Sequence, residues 1–166
     1  MNWRGSIEIK ERIFGTLVYC FAIFDTIFFS NFLVNQFPIF SLFLLPGLPI
    51  AVVYQFSVQL FGMFGSFLVF IILFLGIVRN DRISHFVRYN TMQSILIGIL
   101  LSLIRLIMQW VLVPAFGNGG LLIETLYNVV FLGSITVSYY SMVQSVLGRY
   151  AEIPTISEAA YSQVRY

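Results

Sequence analysis

Long apolar runs alternate with short polar segments along this chain. No Asp, Glu, Lys or Arg occurs between residues 26 and 78, and the second half contains similar uncharged runs. A membrane-spanning helix needs about 20 apolar residues, and four segments have that length: 14–34, 56–78, 91–113 and 121–146. Within them the apolar residues follow one another without the alternation that transmembrane β-strands show. The pattern therefore predicts an all-α integral membrane protein with four transmembrane helices.

The apolar segment 38–55 differs from the four spans because proline and glycine interrupt it. It contains Pro38, Pro46, Gly47 and Pro49, and a proline inside a helix removes a hydrogen bond and clashes with the preceding turn. Broken backbone exposed to lipid would leave polar groups without partners. We therefore predict a Pro-rich interfacial or re-entrant segment between the first and second spans, with a fifth, kinked span as the alternative.

The positive charges favour four spans over five. Eight of the nine Lys and Arg residues lie before the first span, between the second and third, or after the fourth: Arg4, Lys10, Arg12, Arg79, Arg82, Arg88, Arg149 and Arg165. Four spans put all eight on one side of the membrane, whereas a fifth would divide them. By the positive-inside rule, the basic amphipathic N-terminus (1–13) and the C-terminal tail (147–166) of a single domain, 1–166, lie on the cytoplasmic or stromal side. This basic face is expected to bind anionic lipid.

The overall composition narrows the class of protein further. The chain is 59% hydrophobic and 10% charged, whereas soluble domains carry about 25% charged residues. This shortage argues against a water-soluble enzyme, a disordered region and a nucleic-acid-binding protein. The net charge of +2 is also too small to imply a polyanionic partner.

Three charged residues lie within the predicted spans, where charge is costly and needs a reason. Asp25 and Arg105 are at similar predicted depths, so a buried ion pair is one possibility if the first and third spans touch. Glu124, at the start of the fourth span, is a rival partner for Arg105. Such pairs either fix the register of the helices or mark a hydrophilic path for a substrate; alternatively, Arg105 extends its charge to the far interface.

Small and polar residues form stripes on three of the spans. The second span has Gly62, Gly65 and Ser66, and the third and fourth carry longer stripes: Asn90, Ser94, Gly98, Ser102, Arg105 and Gln109, then Ser134, Ser138, Ser141 and Ser145. Such residues let helix backbones approach closely. They would equally suit the lining of a polar cavity, and both interpretations place the stripes inside the bundle.

The sequence contains no recognisable catalytic, metal-binding or cofactor-binding motif. No Cys/His cluster suggests zinc, and Gly117, Gly119 and Gly120 form a turn without the lysine of a phosphate-binding loop. The single cysteine, Cys20, excludes an internal disulfide. We therefore expect a protein that is not an enzyme and has no metal or cofactor.

Several stretches resemble the twenty-kilodalton subunit family of the translocon at the inner chloroplast envelope (Tic). They are 75–80 (LGIVRN), 84–94 (SHFVRYNTMQS), 145–149 (SVLGR) and 153–160 (IPTISEAA). The most specific element is Arg88, Asn90 and Gln93. The apolar run around Asp25 and the segment 44–49 (LLPGLP) are also similar. The resemblance therefore extends over nearly the whole chain.

The resemblance implies a four-helix membrane fold with both termini on the stromal side, acting as a membrane subunit of a preprotein-import complex. The implied partners are other membrane subunits of a translocon and a transiting preprotein. A cyanobacterial or plastid-encoded member is expected, in the plastid inner envelope or a cyanobacterial membrane. The alternatives are an assembly or scaffold protein for membrane complexes, or a small-solute permease that uses Asp25 and Arg105.

The basic loop before the third span allows two roles for the family-like motif. Arg79, Arg82 and Arg88 can bind anionic head groups electrostatically. Alternatively, Arg88, Asn90 and Gln93 dock a partner subunit at the start of the third span.

Overall fold

The computed structural model describes residues 7–164. They form α-helices joined by 3-10 helices, π-helical segments and loops. The α-helices are α1 (Ile9–Leu17), α2 (Tyr19–Thr26), α3 (Asn31–Gln36), α4 (Leu48–Phe61), α5 (Gly65–Leu73), α6 (His85–Ile107), α7 (Val113–Phe116), α8 (Leu121–Val146) and α9 (Ile156–Gln163). The 3-10 segments are Ile27–Phe29, Pro38–Gly47 and Gly62–Phe64, and the π-helical segments are Phe74–Val78 and Met108–Leu112.

Four helical stretches in the described residues are long and apolar enough to cross a membrane. They are Ile9–Phe29, Pro38–Val78, His85–Phe116 and Leu121–Val146. The prediction of an all-α protein with four such helices is confirmed. Many large apolar side chains remain exposed along these stretches, among them Phe14, Phe67, Leu103 and Val143, as suits a surface that faces lipid.

The Pro-rich segment lies inside the second of these stretches, as the 3-10 helix Pro38–Gly47. Pro38 occupies the first turn, where a missing N–H costs nothing, while Pro46 lies inside the segment. Gly47 lets the segment approach α2 closely, since an added Cβ would be 2.9 Å from the Phe24 backbone nitrogen. The Tyr139 hydroxyl of α8 donates to the Phe43 carbonyl at 3.1 Å. The segment is thus packed on α2 and α8 and keeps helical hydrogen bonds despite its prolines.

The second stretch is not one straight rod, because the chain turns sharply between α4 and α5. Gly62 adopts a left-handed φ of 58°, which ends α4. A Cβ added to Gly65 would lie 2.5 Å from the carbonyl carbon and oxygen of Ser57. In a continuous helix these two residues would be about 12 Å apart along the axis. We call this pair the α4–α5 hairpin.

The start of α1, the loop between Val78 and His85 and the segment after α8 meet at one end of the molecule, which we call the basic end. Arg12 packs against Gly148, whose φ is +70°. The described cations at this end are Lys10, Arg12, Arg79, Arg82, Arg88 and Arg149; Arg4 and Arg165 lie outside the described residues. At the opposite end, α3 and α8 are joined by the Gln36–Glu124 hydrogen bond.

The buried residues form two clusters. The larger joins α2 to α8 and includes Tyr19, Ile23 and Phe131; the smaller joins Phe74–Val78, α6 and α9. In lipid there is no hydrophobic driving force between helices, so close packing and polar contacts hold such a bundle together. Buried polar side chains therefore contribute a larger share of specificity here than in a soluble domain.

Candidate functional site

Asn90 lies in a polar cluster at the basic end, where α2, α6 and α8 meet, and its side chain is fully buried. Its Oδ1 accepts from the Tyr19 hydroxyl at 2.8 Å and from the Ser145 hydroxyl at 2.9 Å. Its Nδ2 donates to the Phe86 carbonyl at 2.7 Å. One amide side chain therefore joins the first, third and fourth membrane stretches.

Gln93 links the C-terminal segment to the same cluster. Its Nε2 donates to the Ala151 carbonyl at 3.1 Å and to the Ser157 hydroxyl at 2.9 Å. Its Oε1 also lies within hydrogen-bonding distance of the Tyr19 hydroxyl, which shares its single proton between Gln93 and Asn90. The Tyr89 hydroxyl also donates to the Ala151 carbonyl, at 2.8 Å. A helix as short as α9 is only marginally stable alone, so these bonds help to hold it against α6.

Arg88 closes the loop between the second and third stretches. Its Nε donates to the Val78 carbonyl at 2.8 Å, and its Nη2 lies 3.3 Å from the Asp81 carboxylate. The Arg88 side chain is buried, whereas Asp81 is 90% exposed. An ion pair with so exposed an acid contributes little, so the buried bond to the carbonyl is the stronger contact.

The three family-like residues Arg88, Asn90 and Gln93 are all buried and bonded within the chain. Their geometry supports a role in fixing the shape of the basic end. A partner subunit could reach them only through the residues that cover them. Of the three loop arginines, Arg79 and Arg82 are exposed and remain available to anionic head groups.

Asp25 and Arg105 border one cavity of about 590 Å³, lined from α2, α4, α5 and α6. We call it the membrane cavity. The Asp25 carboxylate packs against Gly98, where an added Cβ would lie 2.6 Å from its Oδ2. Ser102 adds a hydroxyl to the lining and Phe67 an aromatic ring. The polar stripe of the third span thus faces protein near Asn90 and faces this cavity further along.

The structure brings Asp25 and Arg105 together without an ion pair between them. The Arg105 guanidinium instead stacks on Phe28, with its Cζ 4.1 Å from the ring centroid. Glu124, the other candidate partner, accepts a hydrogen bond from Gln36 at 3.1 Å. Both charges at the membrane cavity are therefore open to a further ligand.

Within residues 7–164, no group of three or more His, Cys, Asp and Glu side chains is placed to hold a metal ion. Cys20 is buried as a free thiol. His85 lies with its Nδ1 3.0 Å from the Tyr150 hydroxyl.

The residues of the polar cluster differ in how well the sequence indicates their role. Ser145 is the last member of the serine stripe of α8, and Ser157 belongs to the C-terminal stretch of the family resemblance, so each is visible as part of a pattern. Tyr19 is indistinguishable in sequence from a tyrosine at the membrane interface, yet it is fully buried. The partners of Gln93 depend on how α9 folds back, which spacing alone does not specify.

Comparison with known proteins gives matches over nearly the whole chain. A Tic20 family protein of Synechocystis sp. is 52% identical over 167 aligned residues, covering 100% of both chains. Two chloroplastic proteins of Arabidopsis thaliana, TIC 20-v and TIC 20-II, are 30% and 32% identical, covering 96% and 93% of this chain and 73% and 72% of their own lengths. A family profile described as "Chloroplast import apparatus Tic20-like" matches residues 8–160, which include all four apolar stretches. The chain belongs to the Tic20 family.

Proposed function

We propose that the protein is a membrane subunit of a protein-translocation complex of the preprotein-import type. It acts by helix packing and contact with partners rather than by catalysis. The observation that carries the proposal is the match to a chloroplast import apparatus family over residues 8–160. Its partners are other membrane subunits and a transiting preprotein, with anionic lipid at the basic end.

The geometry of the basic end supports this role. A subunit needs a defined surface, and the polar cluster around Asn90 and Gln93 fixes three membrane stretches and α9 relative to one another. The exposed arginines of the adjacent loop, Arg79 and Arg82, lie where anionic head groups would be.

Capture of an arrested precursor tests the proposal. A preprotein fused to a domain locked by its ligand is added to membranes that contain the affinity-tagged full chain, and the chain is purified in mild detergent. We expect the arrested precursor and other membrane subunits to co-purify, and the precursor to be lost when its targeting segment is deleted. Subunits without precursor would favour an assembly or scaffold role, and recovery of neither would contradict a translocon subunit.

We further propose that both termini face the cytoplasm or stroma, because the described loop and tail cations gather at the basic end. In a Cys20→Ala background, single cysteines at Arg82 and Ser162 should react with an impermeant maleimide from one side of sealed membranes. A cysteine at Gly119, in the turn before α8, should react only from the other side. Labelling of Gly119→Cys from the same side as Arg82→Cys would refute this topology.

The membrane cavity is the observation that favours a second candidate, a small-solute permease using Asp25 and Arg105. Purified full chain in liposomes tests it by the flux of ions and small solutes. An Asp25→Asn, Arg105→Gln double variant is the matched control, and absence of flux through the unmodified protein would eliminate this candidate.

A further inference from the structure

Two charged side chains within the membrane stretches, the half-buried Asp25 and the exposed Arg105, make no hydrogen bond or ion pair of their own among the described residues. Both border the membrane cavity. Charges within a bilayer are costly and usually meet a partner, a substrate or a water-filled space. The cavity between them, at about 590 Å³, is within the range of about 300–1,000 Å³ for ligand sites.

Arg105 lies well inside its membrane stretch. It is about 30 Å along the helical axis from His85, and about 17 Å before the end of the stretch at Phe116, at a rise of 1.5 Å per residue. From Ser94 to Arg105, α6 lines the cavity over about 17 Å of the same axis. The site is therefore an elongated, largely apolar groove with polar groups spaced along it at membrane depth, rather than a spot at the interface.

We propose that the membrane cavity receives polar groups of a polypeptide segment within the bilayer. Arg105 binds carbonyl or carboxylate oxygens of that segment, and Asp25 binds its amide or cationic donors. This inference rests on the proposed function and identifies the part of the protein that faces the substrate.

Charge and depth both favour a polypeptide over a lipid head group. A polypeptide carries donors and acceptors along its whole length, which matches a lining that has an anion, a cation and the hydroxyl of Ser102. Lipid head groups stay at the interface, whereas this groove continues into the apolar part of the stretch. Phe67 and Phe70 on the α5 side would pack against the apolar side chains of the same segment.

Site-specific photo-crosslinking tests the proposal with the arrested precursor already described. Benzoylphenylalanine is introduced at Ser102, which lines the cavity, or at Leu100, which is 46% exposed on the same helix. The two positions differ by about 3 Å in depth and about 160° in direction, so Leu100 is a control matched for depth. We expect precursor adducts from Ser102 to exceed those from Leu100 about tenfold, the ratio that corresponds to about 1.4 kcal/mol.

Charge variants separate binding from folding. In the Ser102 crosslinking background, Arg105→Gln should lower the adduct yield severalfold, and Arg105→Lys should retain most of it because the cation remains. Arg82→Gln, in the exposed loop, should leave the yield unchanged. Thermal unfolding of each variant in detergent identifies any variant that fails to fold. If Arg105→Gln is one of them, the adduct yield of Arg105→Lys decides the result.

The possible outcomes distinguish this inference from the proposed function. Precursor adducts that are equal at Leu100 and Ser102 would overturn the cavity site while leaving a translocon subunit in place. Lipid adducts at Ser102, with precursor captured elsewhere, would assign the cavity to a head group and also overturn it. If no precursor is captured at any position or by co-purification, both the inference and the proposed function fail.

Discussion

Gln93→Leu is expected to release the C-terminal segment 151–164 from the basic end. Leucine has a similar volume but cannot donate to the Ala151 carbonyl and the Ser157 hydroxyl or accept from Tyr19. Ala151, Ser157 and Tyr19 each keep another hydrogen-bond partner in this variant, so the cost is that of the lost bonds themselves. At about 0.5–1.5 kcal/mol for each of the three, we expect a total loss of about 2–4 kcal/mol.

Hydrogen exchange measured by mass spectrometry on the full chain in mild detergent checks this expectation. Amide protection in α9 should fall strongly in Gln93→Leu, while protection in the middle of α8 should change little. Gln59→Leu is the matched control, since Gln59 is exposed on α4 and its loss removes no buried bond. Unchanged protection of α9 would mean that the apolar contacts of Ala160 and Val164 hold the segment without the glutamine.

The four membrane stretches were predictable from sequence because one physical requirement determines them. A helix that crosses lipid must keep about 20 apolar residues together, and that constraint is visible as uncharged runs. The exact first and last residues of these stretches were harder to predict. The first stretch begins at Ile9, five residues before the predicted start, because Glu8 and Glu11 form a capping box that begins the helix earlier.

The α4–α5 hairpin could not be predicted from the same pattern. The run continues through Gly62 and Gly65 without any charged residue, so the charge gap that marks the span gives no sign of a turn. Small residues there indicate close packing, but not which backbone they approach. In the structure Gly65 packs on Ser57 of the preceding helix rather than on another span.

The candidate site shows where sequence periodicity stops being informative. The stripe through Asn90 and Arg105 correctly indicates one face of a helix, because positions three and four apart share a face. What lies opposite that face depends on tertiary structure. Near Asn90 the partners are Tyr19 and Ser145, whereas near Arg105 the face opens on a cavity, and nothing in the stripe itself distinguishes the two environments.

Gly65→Ala is expected to destabilise the protein, although alanine normally favours a helix over glycine. The added Cβ would lie 2.5 Å from the Ser57 carbonyl carbon and oxygen and from the Val58 nitrogen. These are backbone atoms, which cannot rotate aside, so α4 and α5 must move apart. Overpacking of this kind costs about 1–3 kcal/mol, and the bulkier Gly65→Leu should cost more.

Gly133→Ala provides a control with the opposite sign. Gly133 lies inside α8, and nothing lies within 4 Å of where its Cβ would be. There the substitution should stabilise the helix by about 0.5–1 kcal/mol, so thermal unfolding in mild detergent should shift down for Gly65→Ala and up or not at all for Gly133→Ala. Equal upward shifts would mean that α5 does not pack against Ser57. Because lipid supplies no hydrophobic force to press these helices together, this close backbone contact accounts for why a glycine stands at the first residue of α5.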